Sequence, residues 1–183
     1  MKIAIIGFSG SGKSTLAKTL SNQYNIPVMH MDSINFLPGW NERNNEESKK
    51  IVKQFIDKND SWIIDGNYAK IMPERFELAD LVIFLNFNRF VCLKGVIKRY
   101  KENKGKTRSD MCEGCDEKLD LSFLWWVFFK GRSRKRKHRL MNYALNAKTN
   151  LIFRNRKQLK KYIFDISASF QTNLWYNDFI ILY

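Results

Sequence analysis

The sequence predicts an α/β fold built on a five-stranded, mainly parallel sheet flanked by helices. Two observations lead there. Five short apolar runs alternate with stretches of helical spacing, the order that builds strand–helix–strand units. A glycine-rich segment, Gly7-Phe8-Ser9-Gly10-Ser11-Gly12-Lys13-Ser14, separates the first run from the first helical stretch. The 183 residues suit one domain, 1–183, with room for a small inserted lid over residues 100–135, roughly.

The elements follow in chain order. Lys2–Ile6 is apolar and ends at Gly7, as a buried parallel strand would. Lys13 to Asn22 is helical, with Leu16, Ala17 and Leu20 on one face. Pro27–Met31 reads as the second strand, and Asp32–Asn35 as a polar turn after it. Glu46–Lys58 is helical through Ile51, Val52, Phe55 and Ile56. Trp62–Asp65 and Leu81–Leu85 are short strands, and Arg89–Lys101 is a basic helix. A polar break, Glu102–Asp110 with Gly105 inside it, precedes an aromatic helix over Asp116–Lys130 and a very basic helix over Arg132–Asn146. Leu151–Phe153 supplies the fifth strand and Arg156–Ile166 the last helix. The tail Phe170–Tyr183 carries no Lys or Arg and reads either as an added edge strand or as a contact surface.

Composition narrows the function classes. No stretch approaches the roughly 20 apolar residues of a membrane span. The apolar N-terminus stops at once in a glycine loop, so it reads as a strand rather than a secretion signal, and the expected location is cytoplasmic. In that setting Cys92, Cys112 and Cys115 are expected as free thiols. Cys112 and Cys115 have the spacing of half a zinc site, but His30, His138 and Cys92 lie far off in sequence. The net charge of +14 is concentrated: Lys130–Arg139 holds seven Lys or Arg and no acid. Such a field suits polyanions, so nucleic acid is an alternative partner through Lys130–Arg139; a solvated helix face is the plainer reading. The aromatic stretch with Phe123, Trp125, Trp126, Phe128 and Phe129 reads as packing material for a lid or subunit contact ahead of base stacking.

The glycine-rich segment matches G-x-x-x-x-G-K-[ST] in full, with a strand before it and a helix after it. Glycines let the loop wrap a phosphate with its amide hydrogens inward. The helix that starts at Lys13 points its positive end at the same anion. Gly7, Ser9, Gly10, Ser11, Gly12, Lys13, Ser14 and Thr15 therefore form the expected nucleoside triphosphate site. Lys13 supplies a compact charge to the terminal phosphates, and the Ser14 hydroxyl is a Mg²⁺ ligand with Thr15 its neighbour. No N-K-x-D pattern stands where a small GTPase would carry it, and the chain is short for a motor.

Beyond the loop, VMHMDSINFLPGW, WIIDGNY, ADLVIFLNFNR and RYKENKGKTRSDMCEGCDEKLD resemble the DNA topology modulation (FlaR-like) family of adenylate kinase-like P-loop kinases. The resemblance runs from Lys2 to Phe129 and more weakly to Lys160. It implies a nucleoside monophosphate kinase-like fold with a helical basic lid. It also implies roles: Asp32 at the acceptor, Asp65 as a Walker B-type acid holding Mg²⁺ through water, and Arg99 and Arg108 as lid arginines on the transferring phosphoryl group. Arg75 and Arg89 are weaker candidates for acceptor contacts. Where the family pattern places an acidic residue and an apolar-Pro-Arg sequence, this chain has Asn86-Phe87-Asn88-Arg89, with no carboxylate at 86. The expected activity is an ATP- and Mg²⁺-dependent kinase acting on a small acceptor, a nucleoside monophosphate or similar metabolite. The alternative is a nucleotide-regulated nucleic-acid-binding protein related to DNA topology modulation.

Overall fold

The computed structural model describes the backbone of residues 1–180 and the side chains of residues 1–168. Five strands form one sheet: β1 (Lys2–Gly7), β2 (Val28–His30), β5 (Trp62–Asp65), β6 (Leu81–Leu85) and β7 (Asn150–Phe153). Their spatial order is β2-β5-β1-β6-β7, and every pair is parallel. Strands covered on both faces must be apolar throughout, and Ile3–Ile6, Ile63 and Val82–Leu85 are almost wholly buried.

Helix α1 (Lys13–Tyr24) buries Leu16, Ala17 and Leu20 and packs against β1, β2 and β5. Helix α3 (Asn45–Lys58) starts where the Asn44 side chain accepts from Glu46 N–H, and it buries Val52 and Ile56. Helix α5 (Arg89–Asn103) is capped the same way by Asn88 on Val91 N–H. Helix α6 (Leu121–Phe128) packs on α5, and α7 (Arg134–Leu145) packs on β6 and β7.

The expected strands all form, and four local expectations change. The polar turn at Asp32–Asn35 is instead a short helix, α2 (Met31–Asn35), because Met31 and Asn35, one turn apart, are both buried. It leads into a two-residue hairpin, β3 (Phe36–Leu37) with β4 (Asn41–Glu42). The aromatic helix begins at Leu121, not Asp116, because Asp120 caps Phe123 N–H at 2.7 Å while Asp116 and Glu117 pair with Thr107 and Lys104. The short helix α4 (Arg75–Leu78) precedes β6 without an apolar period to announce it.

The last helix, α8 (Arg156–Ile180), runs well past Ile166, so an edge strand is replaced by helix as far as Ile180. The final part of that tail reading, Ile181–Tyr183, lies outside the described residues. Two of the cysteines expected as free thiols, Cys112 and Cys115, are brought together sulfur to sulfur. A turn through Gly114, at φ +74, brings their Cα atoms to 5.8 Å. Among the described residues no helix is long and apolar enough to cross a membrane.

Candidate active site

The loop between β1 and α1 is held from three sides. Inside it, Ser11 N–H donates to Phe8 O at 3.1 Å, and Gly12 N-caps α1 with no side-chain partner. With no acid in the first turn of α1, its amide hydrogens are open to an anion. From behind, α5 presses so closely that a Cβ on Gly10 would lie 2.1 Å from Cys92 O. Gly95 answers it, since its own Cβ would lie 2.1 Å from Gly10 O. Gly10→Ala, at φ +76, is therefore expected to cost about 2 kcal/mol or more. Thermal melts and ATP titration check this: a lower Tm together with weaker nucleotide binding is expected.

From the side, Asn67 locks the end of β1. Its Oδ1 accepts from Gly7 N–H at 3.0 Å and its Nδ2 donates to Gly7 O at 2.6 Å. Lys13 folds back, its Nζ donating to Phe8 O at 3.4 Å. Ser9 and Gly10 are half-buried, Ser11 is fully buried, and Thr15 is exposed with its carbonyl accepting from the Thr19 hydroxyl.

Asp65 is the hub beneath the loop. Its Oδ2 accepts from Ser14 Oγ at 2.9 Å, and its Oδ1 lies 2.5 Å from His30 Nδ1. The parallel register sets this up, because β2 places His30 beside Asp65 and β1 places Ile5 on its other flank. Asp110 joins from the segment between α5 and α6. Burial pushes its carboxyl upward, but Arg108, a hydrogen bond from Ser14 and the His30 ring outweigh this and hold it below the usual carboxylate range.

Asp32, expected at the acceptor, has its Oδ1 accepting from Tyr68 OH at 2.7 Å. Burial first, and then the Asp32 charge and hydrogen bond, push the Tyr68 phenol far up, so it stays a donor. The two arginines expected in the lid meet on one buried carboxylate. Arg99 Nε donates to Glu117 Oε1 at 2.8 Å; Arg108 Nε lies 2.9 Å from Glu117 Oε2, an ion pair without hydrogen-bond alignment. Arg108 also reaches Asp110 Oδ2 at 3.3 Å. Burial and the neighbouring Arg108 lower the Arg99 guanidinium, against the pull of Glu117 and Asp32.

The structure thus joins Ser14 to Asp65 with Lys13 folded onto Phe8 O, sets Asp32 on Tyr68, and joins Arg99 to Arg108 through Glu117. The two weaker arginine candidates go elsewhere. Arg75 is wholly buried, donating to the carbonyls of Gly66, Tyr68 and Met72, and burial lowers its guanidinium to about 10. It braces the chain after β5 and cannot reach an acceptor. Arg89 is exposed and lies over the Phe128 ring at 5.1 Å.

Two other arginines reach the loop. Arg132 lies over the Phe8 ring at 3.8 Å and donates to Phe87 O through both terminal nitrogens. Arg156 Nη2 donates to Gly10 O at 3.4 Å. The basic run Lys130–Arg139 is accordingly divided, with Arg132 turned to the loop and Arg136 over the Trp126 ring at 4.9 Å. Cys92, beside Arg132, is buried, and burial raises its thiol against the opposing arginine charge. Its neutral form is the folded one, so stability falls as pH rises past the ordinary 9.0. Iodoacetamide at mildly alkaline pH is expected to leave Cys92 unmodified until denaturant is added, which peptide mass mapping reads.

No family model and no curated protein matches the sequence. Solved structures do. The deoxyadenosine kinase from M. mycoides with bound dATP matches with a TM-score of 0.56 at 15% identity, over 93% of this chain and 100% of that one. This chain has the fold of the P-loop kinases. The shikimate kinase from Bacteroides thetaiotaomicron matches similarly, with a TM-score of 0.51 at 17% identity, over 93% of this chain and 98% of that one.

Proposed function

We propose that this chain is an ATP- and Mg²⁺-dependent phosphotransferase acting on a small acceptor, a nucleoside monophosphate or similar metabolite foremost. The observation that carries the reading is the Ser14–Asp65 contact beneath an uncapped helix N-terminus, with Lys13 next in sequence. Support comes also from the P-loop kinase fold, whose members here include one solved with dATP. The resemblance to the DNA topology modulation family points to the same kinase-like chemistry without naming an acceptor.

Triphosphate binds through amides of the loop and the first turn of α1, those of Gly7 and Ser11 being already engaged, with Lys13 swinging from Phe8 O to the terminal phosphates. Ser14 and Asp65 offer hard oxygen donors 2.9 Å apart and would hold Mg²⁺, which would supply charge neutralisation at the phosphates. His30 and Asn67 fix Asp65 and Gly7 before substrate arrives, so little reorganisation is needed.

Where the acceptor attacks through a hydroxyl, Asp32, oriented by Tyr68, takes its proton as that oxygen bonds to the γ-phosphorus and the bond to the β-phosphate oxygen breaks; a monophosphate attacks through an oxygen that carries no proton, and Asp32 then orients the acceptor only. Arg99, near the end of α5, and Arg108, in a lid spanning residues 100–135 or so, balance the charge that spreads over the equatorial oxygens. With a hydroxyl acceptor, Asp32→Asn is expected to lower kcat by about 10²-fold or more with ATP binding unchanged. A coupled ADP-release assay against nucleoside monophosphates and hydroxylated metabolites tests the reading. Acceptor-stimulated release carries it; ATP binding without stimulation by any acceptor removes it. A gel shift with nucleic acid that collapses between low and physiological salt would then favour the Lys130–Arg139 alternative.

A further inference from the structure

The carboxylates that hold Arg108 stand on either side of one turn. Asp110 lies two positions before Cys112, and Glu117 two positions after Cys115. The turn is closed at its base, where Thr107 Oγ1 donates to Asp116 Oδ1 at 2.7 Å and Glu117 N–H donates to Lys106 O at 3.2 Å. It docks on the β3–β4 hairpin: Gly39 N–H donates to Gly114 O and Trp40 Nε1 to Asp116 O, both at 3.0 Å. At its tip the sulfurs of Cys112 and Cys115 adjoin. Their Cα separation of 5.8 Å is one a disulfide spans without backbone movement.

The two cysteines differ in their surroundings. Cys115 is 1% exposed, and its Sγ lies 3.2 Å from Leu37 O, where a thiol hydrogen makes a bond that a disulfide cannot. Cys112 is only half-buried, beside the exposed Glu113 and Gly114. Cys115 therefore has a partner in either oxidation state, the Cys112 sulfur in one and the hairpin carbonyl in the other. A permanent staple explains the pair poorly, because a crosslink between residues three positions apart constrains the unfolded chain little. A zinc site fails on ligands: among the described residues no group of three or more His, Cys, Asp or Glu is placed to hold a metal ion.

We propose that Cys112 and Cys115 form a reversible thiol–disulfide site, open to small disulfides, whose state sets how firmly the turn holds Arg108. The Cys112 thiolate attacks one sulfur of the small disulfide, whose S–S bond breaks and releases one thiolate. The Cys115 thiolate then attacks the Cys112 sulfur and displaces the second. The protein loses two electrons and two protons, and the small disulfide becomes two thiols. Oxidation removes the Cys115–Leu37 bond, so the turn sits less firmly on the hairpin. The inference is independent of the phosphotransferase reading, since its readouts are thiols and peptides.

The test equilibrates the folded full chain in glutathione buffers of varied thiol-to-disulfide ratio, quenches with acid and alkylates in denaturant. Trypsin releases both cysteines in one peptide, Ser109–Lys118. That peptide should move reversibly between a doubly alkylated form and an unalkylated disulfide as the ratio changes. Cys115→Ser should keep a lasting glutathione adduct on Cys112, whereas Cys112→Ser should take none on the buried Cys115. A pair oxidised at every ratio, a pair never oxidised, or an adduct on Cys115 overturns the proposal. Brief trypsin treatment of the folded chain reads the hold on Arg108. Cleavage between Arg108 and Ser109 should be about threefold faster in the oxidised form, for the loss of one weak hydrogen bond. Equal cleavage of the two forms overturns the link to Arg108.

Discussion

Lys13→Ala is expected to lower kcat/KM for phosphoryl transfer by about 10³-fold, near 4 kcal/mol of transition-state stabilisation. The ammonium of Lys13 already lies over its own loop, 3.4 Å from Phe8 O, so it meets phosphate by a small swing of one side chain. Alanine keeps the helix and the loop amides, and ATP binding should weaken less than turnover falls. That split separates a transition-state charge from simple anchoring. Steady-state kinetics with ATP and the acceptor, beside direct ATP titration, reads both. Equal losses in binding and in kcat/KM would reassign Lys13 to ground-state binding.

Asp65→Asn should have the next largest effect. Both carboxylate oxygens are engaged, one by Ser14 Oγ at 2.9 Å and one by His30 Nδ1 at 2.5 Å. Asparagine keeps the shape but loses the charge and presents an amine to one of those partners. The expected result is a fall in kcat/KM of about 10²-fold or more and a higher Mg²⁺ requirement, because a hard cation loses its anionic anchor. Nucleotide binding measured without Mg²⁺ should change little. Titrating Mg²⁺ at fixed ATP checks this, and an unaltered Mg²⁺ dependence would show that Asp65 only braces His30 and Ser14.

The parts of this site that were readable in the sequence are local ones. The loop from Gly7 to Ser14 announces itself because its spacing and its strand and helix flanks are contiguous. The strands at Lys2–Gly7, Trp62–Asp65 and Leu81–Leu85 were equally plain, since a strand buried on both faces is an unbroken apolar run. What stayed hidden is what tertiary pairing creates. His30 gains its partner only because β2 lies beside β5 in register, setting it next to Asp65 across 35 positions of chain. Parallel pairing of those two runs was the one signal that would have found it.

Glu117 fell at the start of the expected aromatic helix with no role assigned, yet it joins Arg99 to Arg108. Arg132 and Arg156 stood only as the first residues of two expected helices, and they reach the loop from the segments around α7 and α8. Gly95, inside the expected basic helix, carried no reading in sequence; it is the clearance Gly10 needs. Arg75 erred in the other direction, because a lone arginine carries no sign in sequence that three backbone carbonyls await it.

The central claim is transfer of a phosphoryl group to an organic acceptor rather than to water. The most direct test incubates the protein with Mg²⁺ and ATP labelled in the γ-phosphate, with each acceptor in turn, and separates the products. Label in a phosphorylated acceptor, absent with Lys13→Ala, is the predicted result. Label found in inorganic phosphate alone, whatever the acceptor, would contradict it.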